Sequence, residues 1–146
     1  SNGSDSGTGS LRQAILDAEN TPGTDQIVFS LPGTGPFTIA LLAPLPSVRE
    51  PVTIDGTTQP GYAGAPRIEI SGATAGANAN GLYLLTSGCL IRGLCLNRFS
   101  GDGVRIEPYG SNVIQGCYIG TTVKGTSAAA NALGGITTSS QAHATR

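Results

Sequence analysis

Seven charged residues alternate with apolar neighbours in strand-like phrases and are therefore candidates for outward-facing chemistry: Asp55, Glu69, Asp102, Glu107, Arg92, Arg98 and Arg105. Two carboxylates held roughly 5–10 Å apart would make a glycosidase pair. An Arg base beside acids that hold calcium against a uronate would make a lyase. Offsets of 22–23 residues between repeated phrases align Tyr83 with Arg105 and Arg92 with Gln115, and they bring no acid over another acid. No catalytic residue and no metal ligand is assigned on this basis. Tyr83, Arg105 and Arg92 are the ligand-binding candidates. An aromatic ring and a guanidinium on strands roughly 4.8 Å apart can make a cation–π contact or offer a sugar ring a flat platform. The plain alternative is surface decoration.

The remaining polar residues have simpler readings. Asp102 between Gly101 and Gly103, and Asp55 before Gly56, read as tight turns in which the side chain bonds its own backbone. Asn97 and Asn112 read as turn caps, and the only histidine, His143, lies in a polar tail without triad partners. The cysteines Cys89, Cys95 and Cys117 are odd in number and show no metal-ligand spacing, so they read as small buried hydrophobes. A Cys95–Cys117 disulfide stays open as an alternative, because one residue of register decides whether the two stack.

These residues are carried by a repetitive, glycine-rich chain. Glycine supplies 22 of 146 residues, Trp and Met are absent, and 12% of residues are charged. Such a chain fills a narrow interior with Val, Ile, Leu and Cys and keeps glycine for corners. A net charge of −1 without a basic cluster argues against a nucleic-acid partner. No apolar run reaches the ~18 residues of a membrane span, and no cofactor motif is present.

Apolar phrases closed or opened by glycine recur at Val52–Gly56, Ile68–Gly72, Gly81–Leu84 and Gly103–Ile106, with Gly81 and Gly103 separated by 22 residues. Cys89–Asn97 matches Asn112–Gly120, with Gly93 and Gly116 separated by 23. Periods in this range mark stacked units too small to bury an apolar face alone. The expectation is an all-β, right-handed parallel β-helix, a solenoid of about 22-residue coils, with an N-terminal amphipathic capping helix. Ser10 and Gln13 form a capping box at the start of that helix, and Leu11, Ala14, Ile15 and Ala18 form its apolar stripe. Residues 1–24 are assigned to a flexible lead and the capping helix, 25–138 to the coils with a loop at 121–130, and 139–146 to a disordered tail. Leu82, Leu84, Leu94, Leu96, Val104, Ile106, Val113, Ile114 and Ile119 are expected to point inward. No C-terminal cap is recognisable, so the chain reads as cut in mid-stack and prone to self-association through its C-terminal coil.

Gly9-Ser10-Leu11-Arg12-Gln13-Ala14-Ile15 followed by Asp25-Gln26-Ile27-Val28-Phe29 resembles the N-terminal signature of bacterial exported and surface right-handed parallel β-helix repeat proteins. In those proteins a Ser-Leu-Arg-Glu/Gln-Ala-Ile helix precedes an Asp-x-Ile-x-Phe strand. The likeness continues through Val52–Tyr62, Ile91–Leu94 and Tyr118–Thr121. The family's usual Val-Thr-Asn-Thr-like strand before the helix is missing, and fewer coils follow it. The resemblance implies an extracellular or bacterial cell-surface setting and no particular reaction. It also implies a structural or display role toward glycans, surface proteins or further copies of the chain. A fragment of a polysaccharide-binding or polysaccharide-degrading lyase or hydrolase is the alternative.

Overall fold

The computed structural model describes residues 1–139. The expected tail, with His143 in it, lies outside the described residues from position 140 onward.

The chain begins with a single helix, α1 (Leu11–Glu19), which forms for the reasons its sequence suggests. Ser10 adopts an extended conformation and its Oγ accepts a hydrogen bond from the Gln13 N–H at 3.2 Å, which satisfies one orphan donor of the first turn. Only this half of the capping box forms. Gln13 turns its side chain forward to Asp17 Oδ1 at 2.8 Å, and the Ser10 N–H donates to Gly7 O instead. Leu11, Ile15 and Ala18 are buried, as the i, i+4, i+7 spacing requires. The lead is tied down rather than loose. Asp5 Oδ1 accepts from both Arg12 Nη2 at 2.8 Å and the Leu42 N–H at 2.9 Å.

Eleven strands follow, every one paired in parallel: β1 (Asp25–Val28), β2 (Phe37–Ala40), β3 (Val52–Asp55), β4 (Ile68–Ser71), β5 (Leu82–Leu84), β6 (Leu90–Arg92), β7 (Leu94–Asn97), β8 (Asp102–Ile106), β9 (Val113–Gln115), β10 (Tyr118–Ile119) and β11 (Gly134–Thr138). They form three sheets, ordered β1-β3-β6-β9, β2-β4-β7-β10 and β5-β8-β11.

This arrangement corrects the expected fold class. The strands make three small parallel sheets of four, four and three strands with one short helix in the core, and no closed solenoid of constant repeat forms. Paired residues lie 27 apart in β1 and β3 (25 to 52), 37 in β3 and β6 (53 to 90), 31 in β2 and β4 (37 to 68) and 22 in β5 and β8 (82 to 104). The 22–23-residue period therefore holds for three of the eight ladders, β5 with β8, β6 with β9 and β7 with β10, and fails for the other five. Its physical cause is the connections. Residues 56–67 and 120–133 make irregular excursions, the first opening with a 3-10 turn at Gly56–Thr58, so the glycine-bounded phrases recur without a fixed spacing. Helix and parallel sheet share the core, which is not the content of an all-β chain.

The core consists of rows of side chains that the ladders hold in register. Ile27, Ile54, Ile91 and Ile114 make one row and Ile39, Ile70, Leu96 and Ile119 another. On the third sheet Leu82 and Val104 continue into Ile136, while Leu84 neighbours Ile106. Leu82, Leu84, Leu94, Leu96, Val104 and Ile106 are all buried as expected, and Ile114 and Ile119 pack against them in part. Val113 is a correction. It is the register partner of Leu90 and precedes the inward Ile114, so strand alternation turns it the other way. Close packing explains some glycines. A Cβ at Gly72 would lie 2.2 Å from Phe99 Cδ1, and one at Gly81 would lie 2.3 Å from Gly103 O.

Candidate functional site

Each sheet carries one cluster of polar side chains on the face opposite the core rows. On the first sheet, Val28, Asp55, Arg92 and Gln115 are successive register partners. Arg92 Nη2 donates to Asp55 Oδ2 at 2.6 Å, with the carboxylate side chain 2% exposed and the guanidinium 38% exposed. Asp55 Oδ1 also accepts from the Thr57 N–H and hydroxyl. The turn reading of Asp55 therefore covers only part of its role, because the side chain also ties β3 to β6. Burial raises its pKa, and hydrogen bonds from Arg92 and Thr57 outweigh that and hold the carboxyl below its ordinary value.

On the second sheet, Glu69 is buried between three neighbours. Its Oε1 accepts from Thr38 Oγ1 at 2.8 Å and its Oε2 from Asn97 Nδ2 at 2.7 Å, while Arg98 Nη1 approaches Oε2 at 3.4 Å. Asn97 also donates to Thr121 O, so the loop leaving β10 is fastened across this face, and Asn97 Oδ1 is buried without a partner. Asn97 thus bridges two strands and a loop and does not cap a turn. Asn112 is not a local cap either: it accepts from the Cys89 N–H at 2.9 Å and donates to Thr86 O, 23 and 26 residues earlier in the chain. Burial raises the Glu69 pKa most, yet Asn97, Thr38 and the Arg98 charge together hold it below its ordinary value.

On the third sheet, Tyr83 and Arg105 are register partners, as the sequence offset implied, and Thr137 follows Arg105. Arg105 pairs with Glu107 through Nη2 and reaches Asp102 Oδ2 at 3.3 Å through Nη1. The Tyr83 hydroxyl donates to Glu107 Oε2 at 3.0 Å, and Thr137 Oγ1 donates to Asp102 Oδ1 at 2.8 Å. Asp102 is a buried strand residue here, which corrects its reading as a tight turn. The hydrogen bond to Glu107, then burial, raise the Tyr83 phenol pKa.

The ligand candidates do not converge. Tyr83 and Arg105 lie together on the third sheet, and Arg92 lies on the first, paired with Asp55. Cys89, Cys95 and Cys117 are free thiols. Burial pushes the Cys95 thiol up to about 12, with the Glu69 charge adding to it, so it does not act as a nucleophile near neutral pH. Two hollows of about 150 and 270 Å³ lie beside α1 and β1; both reach Val28 but none of the polar side chains of the three clusters. Sequence reasoning missed Thr38, Thr57 and Thr137. Thr38 and Thr137 are donors one strand away from their acids and visible only with the true offsets, whereas Thr57 is a local donor two residues after Asp55.

The depressed Asp55 and Glu69 carboxyls have a measurable consequence. A group whose pKa is lower in the folded chain contributes stability that is fully present above its unfolded value and is lost as pH falls through the folded one. The ordinary values are 3.8 for Asp55 and 4.5 for Glu69. Unfolding free energy from urea titrations should therefore be level down to about pH 5 and decline below it. Glu69→Gln should flatten part of that decline. An identical decline in both proteins would remove Glu69 as a contributor.

Comparison with known proteins adds no further constraint: no protein-family model matches the chain, and neither do any curated protein or solved structure.

Proposed function

We propose that this chain is a structural display module, a rigid stretch of parallel sheet that presents outward side chains and loops for adhesion or self-association. The observation that carries the reading is the use of its outward acids. Asp55, Glu69, Asp102 and Glu107 each accept hydrogen bonds from partners on a neighbouring strand, so these acids brace adjacent strands within each sheet. A general acid or nucleophile needs a carboxyl free to meet substrate, and these are engaged. The exported, bacterial cell-surface setting is part of the proposal and rests on the Ser-Leu-Arg-Gln-Ala-Ile resemblance.

The surface best suited to a ligand is the Tyr83–Arg105 face, where a half-buried phenol and a guanidinium sit on adjacent strands with fixed partners. A sugar ring is the ligand that such a platform fits. A glycan array probed with the wild-type chain and with Tyr83→Ala tests this, alongside a turnover assay on uronate polymers. Selective retention that is lost in Tyr83→Ala, without polymer cleavage, is the expected result. Cleavage would overturn the display reading in favour of a polysaccharide-degrading one. Retention unchanged in the variant would move adhesion off this face.

A further inference from the structure

The Tyr83–Arg105 platform carries more acid than base. Its guanidinium, Arg105, is 36% exposed at the side chain and faces two carboxylates. Asp102, 2% exposed, meets Nη1 at 3.3 Å, and Glu107, 27% exposed, meets Nη2. Thr137, the register partner of Arg105 on β11, brings no charge. Two carboxylates against one guanidinium leave the cluster negative, and its accessible acid is Glu107.

The placement of Glu107 has a chemical meaning. One of its oxygens takes Arg105 Nη2 and the other takes the Tyr83 hydroxyl at 3.0 Å. A guanidinium N–H and a phenolic O–H converging on the two oxygens of one carboxylate is also how a sugar acid would be held. Glu107 therefore stands where the carboxylate of a uronate would stand. With the other terminal nitrogen of Arg105 turned to Asp102, the fork has no free pair of donors for a second anion. An incoming carboxylate would also meet the Glu107 charge at close range and be repelled. A neutral ring escapes both costs. It lies on the phenol, and its hydroxyls donate to the remaining lone pairs of Glu107.

We propose that Glu107 sets the specificity of this face, admitting uncharged pyranose rings and excluding uronates. The proposal rests on the reading of the Tyr83–Arg105 face as a sugar platform and gives that platform a ligand class. Without the Glu107 charge, Arg105 Nη2 and the Tyr83 hydroxyl come free together, and the same surface becomes a carboxylate cradle.

Matched oligosaccharides test this by biolayer interferometry: glucose against glucuronate and galactose against galacturonate, which differ only in a hydroxymethyl or a carboxylate. The whole chain is compared with Glu107→Gln, which keeps the shape of the side chain and removes its charge. The wild type should hold the neutral member of a pair about tenfold more tightly, the worth of one charge-assisted hydrogen bond. Glu107→Gln should bring that ratio to unity or invert it through a gain in uronate affinity, which a damaged fold cannot produce. A wild type that holds both members equally, or a ratio unchanged in Glu107→Gln, would overturn the proposal. A wild type that holds neither member overturns the platform reading instead. In that case uronate capture by Glu107→Gln still assigns the exclusion to Glu107, and its absence overturns that as well.

Discussion

Leu11→Asp should leave the chain without a cooperative thermal transition. Leu11 is the first residue of α1 and is 3% exposed. Two effects oppose each other at this position. An acidic residue in the first helical turn is favoured by the helix dipole, typically by 0.3–1 kcal/mol. Against that, the variant loses about 1.5–3 kcal/mol of leucine burial and places a carboxylate where it has no partner, which costs several kcal/mol more. Burial wins by a wide margin, and the sum is comparable with the about 5–15 kcal/mol that holds an ordinary domain together. Circular dichroism through a melt, with Leu11→Ala as the milder comparison, measures it. An unchanged melting temperature would mean that the helix contributes nothing to the core.

The second large effect is at Ile106. It is fully buried on β8, the middle strand of its sheet, and Ile106→Ala should cost about 2–5 kcal/mol through lost transfer energy and the remaining cavity. Urea titration gives the number directly. Its neighbour Arg105 sits on the opposite face, between Asp102 and Glu107. Arg105→Ala should destabilise less, although more than an ordinary surface change, because the buried Asp102 carboxylate would keep only its Thr137 partner. Equal losses at the two positions would contradict the assignment of core and outer faces.

Much of the local structure was legible in the sequence, and the global pattern was not. Ser10 and the Leu11, Ile15, Ala18 stripe marked the helix because capping and 3.6-residue periodicity are short-range signals. Alternation identified Leu82, Val104 and Leu94 as core for the same reason. Val113 failed because it and Ile114 are both apolar neighbours, and alternation cannot choose between them. The repeat failed because it was inferred from Gly81–Gly103 and Gly93–Gly116, two intervals that happen to be short. The ladder from β3 to β6 spans 37 residues because the connection after Asp55 carries a turn and a loop that no periodic signal reveals. The same error hid the site. With 22 as the offset Glu69 had no strand partner of interest, whereas the structure aligns Thr38 with Glu69 at 31 residues and places Asn97 two positions beyond the residue opposite it. The Tyr83–Arg105 and Arg92–Gln115 pairings are legible because their ladders keep the 22- and 23-residue spacings.

The spread of those spacings also bears on how the chain reaches this structure. All eight ladders join segments 22–37 residues apart, so each strand emerges during synthesis well before its partner exists. Closing a loop costs free energy only as the logarithm of its length, and between these extremes the difference is about 0.5 kcal/mol. Closure entropy therefore gives no ladder a useful head start. The order of assembly falls to burial, and the first large apolar surface available is the α1 stripe against β1, completed when β3 arrives. A ribosome-bound chain stopped before Val52 should lack protected amides in β1, and one extended past Asp55 should gain them.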